Sequence, residues 1–138
     1  MQPTTKQLVR QSWAAILPQA KQVCGRFYQR LFEVHPELHG LFKTEPERQT
    51  ALFVTMLNTV ISALDDPRPV RPLLQALGAR HADYGVTASD YAKFEAVLLD
   101  TLAESLGPSF TPAVRAGWAE VFERLAETML TGVVANRR

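Results

Sequence analysis

LLQALGARHADYGV, residues 73–86, places a histidine at the end of an apolar helical stripe. The apolar residues before His81 recur at the spacing of one helix face: Val70, Leu73, Leu74 and Leu77. This spacing predicts that the imidazole lies on the apolar side of a helix, close to a turn that contains Gly85. A histidine in such a place is either a hydrogen-bonded core residue or a ligand to a buried group, and these residues alone leave both open.

The composition is that of a single globular domain. Of 138 residues, 46% are hydrophobic and 21% are charged, so we expect one domain over residues 1–138. The net charge is +1 and the basic residues are scattered, which argues against a nucleic-acid or acidic membrane partner. Cys24 is the only cysteine, so neither an intrachain disulfide nor a Cys-rich metal site can form.

Nothing in the sequence predicts insertion into a membrane or export. No apolar run reaches the roughly 20 residues that span a bilayer. The N-terminal MQPTTKQ lacks the apolar core of a signal peptide. We therefore expect a cytoplasmic protein without a membrane span.

Helical periodicity runs through almost the whole chain, and no convincing alternating strand occurs. Capping signatures predict helix starts at Thr4 and Thr44, with Pro46 and Pro112 in first turns. One helix should end near His35, because Pro36 disfavours helical backbone in the residue before it. Unequal elements separated by prolines favour steep pairwise packing around a cavity over a uniform four-helix bundle. The sequence predicts an all-α fold of six or more helices.

Three segments resemble bacterial haemoglobins: FYQRLFEVHPELHGLF (27–42), TALFVTML (50–57) and ARHADYGV (79–86). The likeness is strongest to the globin domain of flavohaemoglobins and their single-domain relatives, and it extends over essentially the whole chain. It implies a globin fold of six to eight helices around a haem pocket, with haem b as cofactor. The FAD- and NAD-binding reductase region of flavohaemoglobins does not occur before the sequence stops, so we expect any reductase to be a separate protein.

On the proximal side, the resemblance implies that His81 is the iron ligand. Tyr91 matches a tyrosine that the family places near this histidine, and Val86 matches a valine at the haem edge. Arg80 is a candidate partner for a haem propionate. A glutamate that joins histidine and tyrosine in the family is replaced by Val133, so we expect His81 to donate less electron density and reversible binding to be favoured.

On the distal side, Tyr28 matches a tyrosine whose hydroxyl donates to bound O2, although a core tyrosine would show the same pattern. Phe42 matches a phenylalanine on the haem face, and Leu52 an apolar distal residue. Arg48 falls where the family usually carries glutamine at the position that controls ligand entry, with Gln49 beside it. The segment before TALFVTML looks shortened, so the register is open by one residue and either Arg48 or Gln49 can face the ligand. Of the two, we favour Arg48.

These residues together predict a haem-binding globin with five-coordinate ferrous iron that binds O2, NO or CO, for oxygen binding, transport or supply. The alternatives are an NO dioxygenase or peroxidase-like enzyme working with a separate reductase, and a haem-based gas sensor. No nucleotide-binding glycine loop and no nucleophile–base pair supports another enzyme class. A monomer and a homodimer are both compatible with the sequence.

Overall fold

The computed structural model describes the backbone of residues 1–136 and the side chains of residues 1–132. Within this part the chain forms α-helices and short 3-10 turns and contains no strand, which confirms the all-α prediction. The six α-helices are α1 (Pro3–Ile16), α2 (Ala20–Val34), α3 (Pro46–Ser62), α4 (Arg71–Asp83), α5 (Ala88–Leu106) and α6 (Pro112–Asn136). The 3-10 turns are Leu17–Gln19, Pro36–Leu41 and Gly107–Ser109. None of the helices in this part is both long enough and apolar enough to cross a membrane.

Prolines determine where several helices begin. The N-caps of α1 and α3 are Gln2 and Glu45, both extended and neither using its side chain as a cap, so the predicted caps at Thr4 and Thr44 are wrong. The physical reason is that a residue before proline is held extended, as an N-cap must be, while the proline suits the first helical position. Thr111 obeys the same rule before α6, and its Oγ1 accepts a hydrogen bond from the Val114 amide at 3.3 Å.

The histidine-bearing helix α4 ends in a Schellman motif. The amide of Gly85 donates to the carbonyl of Ala82 at 3.0 Å, and the amide of Val86 donates to the carbonyl of His81, also at 3.0 Å. Gly85 has a φ of +95°, a conformation that a Cβ disfavours. The next helix, α5, begins with a capping box between Thr87 and Asp90.

The helices that carry the candidate site rest on different partners. The long α6 packs against α1, α4 and α5, whereas α2 packs against α3 and α5. Consecutive helices α3 and α4 are thus held mainly by α2 and by α6, respectively. The hydrophobic core includes Trp118 of α6, whose Nε1 donates to the hydroxyl of Ser12 on α1 at 2.8 Å. The positions of α3 and α4 are therefore determined by different neighbouring helices, α2 for α3 and α6 for α4.

Candidate functional site

His81 stands in the last turn of α4 with a defined proton position. Its Nδ1 lies 2.8 Å from the carbonyl oxygen of Leu77, one turn earlier. Because a carbonyl only accepts, Nδ1 carries the proton and donates, and Nε2 keeps its lone pair. Burial lowers the pKa of His81, which keeps the ring neutral at pH 7. This is the state in which an imidazole binds a metal ion.

Tyr91 packs beside His81, as the resemblance to bacterial haemoglobins implies. The two rings are stacked, with centroids 6.4 Å apart and planes inclined by 17°. Burial raises the pKa of Tyr91 to about 12, so its hydroxyl stays protonated at neutral pH. The contact joins α4 to the first turn of α5.

Tyr28 is buried on α2, and its hydroxyl oxygen has one identified partner. The side-chain amide of Gln49 on α3 donates to Tyr28 Oη at 3.2 Å. Burial raises the pKa of Tyr28 far above its usual value, with a smaller opposing effect from this hydrogen bond. The phenol therefore remains protonated, and since its oxygen accepts from Gln49, its O–H is available to donate to another group.

The structure directs Gln49, and not Arg48, at Tyr28. Arg48 is exposed on α3, contrary to the expectation that it is the residue facing inward. Neighbouring residues on a helix point about 100° apart, so only one of the two can meet Tyr28. The sequence left the register of α3 open by one residue, and in the structure the residue that contacts Tyr28 is Gln49. Whether either side chain stabilises a ligand stays a prediction.

Phe42 belongs to a group of aromatic rings around Tyr28. Ring centroids of Phe42 and Tyr28 are 5.5 Å apart, and those of Phe42 and Phe94 are 5.7 Å apart. We call this group the aromatic cluster; it contains Phe27, Phe32, Phe42, Phe53 and Phe94 in addition to Tyr28. Phe94 and Tyr91 lie one turn apart on α5, so the same side of that helix contacts both Phe42 and His81.

The remaining predicted residues are less enclosed. Leu52 is 51% exposed on α3, one turn beyond Gln49, and Arg80 is exposed on α4. Val86 is half-buried beyond the end of α4. The structure thus brings Tyr28 into contact with both Gln49 and Phe42. Leu52, Arg80 and Val86 are not part of these contacts. Their roles towards a cofactor stay predictions.

Carboxylates lie near Tyr91 in the structure. A cleft of about 520 Å³ between α5 and α6 is lined by Tyr91, Glu95, Glu123 and Glu127, among other residues. Burial, and then the negative charge of Glu123, raise the pKa of Glu95. No hydrogen bond joins the Tyr91 hydroxyl to these acids among the described side chains. The side chain of Val133, predicted to replace the family's glutamate, lies outside the described residues.

A family model described as Globin matches residues 25–129, which is well over half of the chain and includes α3 to α5 and most of α2 and α6. This chain belongs to the globin family. The resemblance predicted from the three sequence segments is therefore confirmed, and so is the globin fold.

Flavohemoproteins are among the relatives of this globin. It is 28% identical over 130 residues to a flavohemoprotein of Chromobacterium violaceum and 23% identical over 129 residues to one of Bacillus subtilis. Each match covers 91% of this chain but 32% of the relative. The chain therefore spans about a third of the length of the curated relatives it matches.

Solved structures share the fold over nearly the whole chain. One is an engineered carbene transferase, RmaNOD, from a Rhodothermus marinus protein named as a nitric oxide dioxygenase. It has a TM-score of 0.89 and 28% identity, with 99% of this chain and 96% of the other covered. A bacterial globin from Campylobacter jejuni has a TM-score of 0.87 at 16% identity and 99% coverage of both chains, a likeness of fold alone.

The globin family implies a haem cofactor, and the residues present suit one. His81 offers a neutral ring whose Nδ1–H is held by Leu77, which leaves the Nε2 lone pair for iron. The aromatic cluster supplies apolar surface of the kind that a macrocycle contacts. The donor set and the surrounding chemistry therefore fit haem.

The sequence motifs indicated Tyr28 and Phe42 but did not single out Phe53 or Phe94. Phe53 packs on both Phe27 and Tyr28, and Phe94 packs on Phe42. A signal was present: Phe53 lies four residues after Gln49, and Phe94 lies three after Tyr91. Residues at those spacings share a helix face, so Gln49 could have indicated Phe53, and Tyr91 could have indicated Phe94.

Proposed function

We propose that this globin holds one haem b through Nε2 of His81 and reversibly binds a small gas, with O2 as its main ligand. When bound, the haem supplies a ferrous iron with an open coordination position for O2, NO or CO. The observation that carries the proposal is the hydrogen bond from His81 Nδ1–H to the Leu77 carbonyl, because it leaves Nε2 as the free ligand atom.

Tyr28 has the complementary role in this proposal. Its O–H donates to the ligand, and Gln49 orients the phenol by donating to its oxygen at 3.2 Å. Because the surroundings are aromatic and the tyrosine is buried, such a bond is stronger than in water. An O2 ligand with partial negative charge would gain from this donor, whereas CO would gain little.

The first experiment compares two histidine variants in haem loading. His81→Ala should lose the Soret band of the purified protein, and added imidazole should restore part of it. The matched control is His39→Ala, which removes an exposed histidine outside the proposed ligand position and should load haem like the parent. Full, imidazole-independent loading of a folded His81→Ala variant would refute the assignment.

The second experiment tests the distal side by gas kinetics. Tyr28→Phe should speed O2 release about tenfold while changing CO release far less, because one hydrogen bond to a partly charged ligand is lost. Arg48→Ala is the matched control and should release O2 at the parent's rate, since Arg48 is exposed. An unchanged O2 release rate in Tyr28→Phe would exclude the donor role.

A second candidate function is NO dioxygenation, in which NO, O2 and one electron give nitrate. The free O–H of Tyr28 favours it, since that donor can hold O2 in place for attack by NO. The 28% identical Rhodothermus marinus protein is named as a nitric oxide dioxygenase, and flavohemoproteins are relatives. The electron would come from a reductase. Continuous nitrate formation with an added reductase supports this function, and a single stoichiometric turnover excludes it.

A further inference from the structure

We propose that Gly78 and Gly132 are positioning residues, which hold α4 directly on the backbone of α6 and thereby determine where His81 stands. The proposal rests on the proposed function only in assigning His81 as the iron ligand. The positioning itself concerns this chain's own helices and is tested separately below.

Side-chain burial alone holds α4 weakly. Within this helix the buried residues are Leu74 and Gly78. Leu73, which the sequence pattern placed on the apolar face, is 56% exposed. With one large buried side chain, and with Leu77 only partly buried against the core, this helix has little hydrophobic area to fix its position. Yet α4 carries the residue whose placement matters most for the site.

The contact between α4 and α6 is made by backbone at two glycines. A Cβ added to Gly78 would overlap the backbone of Met129, including its carbonyl oxygen. A Cβ added to Gly132 would overlap the backbone of Gln75. The two contacts are reciprocal, because Gln75 and Gly78 lie one turn apart on α4, as Met129 and Gly132 do on α6. The overlapped atoms belong to the backbone, so they cannot move aside by a side-chain rotation.

This close approach adjoins the ligand position. Gly78 precedes His81 by three residues and follows Leu77, whose carbonyl accepts the His81 Nδ1–H. Non-bonded carbon atoms need a separation of about 3.5–4.0 Å, so a methyl group at Gly78, which would overlap the Met129 backbone, must push α4 away from α6 by roughly 1–2 Å. The displaced segment includes both His81 and the carbonyl that orients it. The glycines therefore control the distance of the imidazole from the rest of the site.

The decisive test uses the haem-loaded full chain and three alanine variants. Gly78→Ala and Gly132→Ala should shift the iron–histidine stretching frequency of the ferrous protein, measured by resonance Raman spectroscopy, because His81 is displaced. Gly25→Ala is the matched control, since its helical position on α2 has no neighbouring atom within 4 Å of an added Cβ. It should keep the parent's frequency. Parent frequencies in both folded test variants would overturn the proposal.

A second measurement keeps the proposal testable if those variants fail to fold. In the haem-free parent chain, amide hydrogen exchange of α4 residues 74–80 should be protected to about the same degree as that of α6, because α6 holds them without the cofactor. Exchange of this segment at the rate of an unfolded peptide would overturn the proposal. Failure of the parent chain to bind haem would instead refute the proposed function. The hydrogen-exchange result would still test the positioning role of the two glycines.

Discussion

The helices α2 and α4 carry the two candidate residues, Tyr28 and His81, yet they are held in place by different means. α2 buries a continuous face of side chains, including Cys24, Phe27, Tyr28 and Leu31. α4 buries little side chain and meets α6 backbone to backbone. Truncating buried side chains should therefore destabilise the packing of α2, whereas adding a Cβ to a glycine should destabilise that of α4. Three predictions test this difference, in order of decreasing effect.

The largest effect is expected from Phe27→Ala. Phe27 is fully buried, and its ring packs against Tyr28, Phe53 and Phe94. Truncating such a ring removes burial and leaves a cavity, at a cost of about 3–5 kcal/mol in the free energy of unfolding. Urea unfolding of the haem-free chain measures it. The comparison truncation on α4, Leu73→Ala, removes an exposed side chain and should cost less than about 0.5 kcal/mol. Similar losses in both variants would contradict the distinction.

The second prediction concerns alkaline pH. Burial raises the pKa of Cys24 from 9.0 to about 11. Above about pH 9 the unfolded chain loses the thiol proton, while the folded chain keeps it up to about pH 11. Unfolding thus releases a proton in this window, and stability falls as pH rises, by at most about 1.4 kcal/mol per pH unit.

Comparison with Cys24→Ala isolates this contribution. The variant should show a shallower decrease in the free energy of unfolding between pH 9 and 11, since its other titrating groups are the parent's. Equal pH slopes in parent and variant would show that burial of the thiol does not affect its ionisation. In the folded parent at pH 8, the thiol should also react slowly with Ellman's reagent.

The smallest effect is expected from Gly85→Ala at the end of α4. Gly85 adopts a φ of +95° in the Schellman motif, and a Cβ is disfavoured there although no atom lies closer than 3.7 Å to it. The cost should be about 1 kcal/mol in thermal or urea unfolding. Gly40→Ala is the control, because an added Cβ there meets nothing within 4 Å and φ is not in the left-handed region. Equal stability of the two variants would remove the conformational argument.

Much of the helix layout was predictable because it depends on local chemistry. Pro36 limits α2, and Pro46 and Pro112 open α3 and α6, as their fixed φ and missing amide require. The caps at Thr4 and Thr44 were predicted wrongly, since the extended residue before each proline took the N-cap position. That error was also local, and giving more weight to the prolines would have avoided it.

The sequence by itself determined an all-α chain of the globin family, and it predicted a tyrosine on α2 and a histidine at the end of α4 as the candidate pair. The all-α prediction follows from spacing along single helices, which depends only on 3.6 residues per turn. The family and the candidate pair come from the resemblance of three sequence segments to bacterial haemoglobins. Tertiary structure alone decided that Gln49 rather than Arg48 meets Tyr28, and that Gly78 and Gly132 bring α4 onto α6. Both depend on how one helix is rotated and pressed against another. That arrangement results from packing between residues far apart in the chain, which no local pattern records.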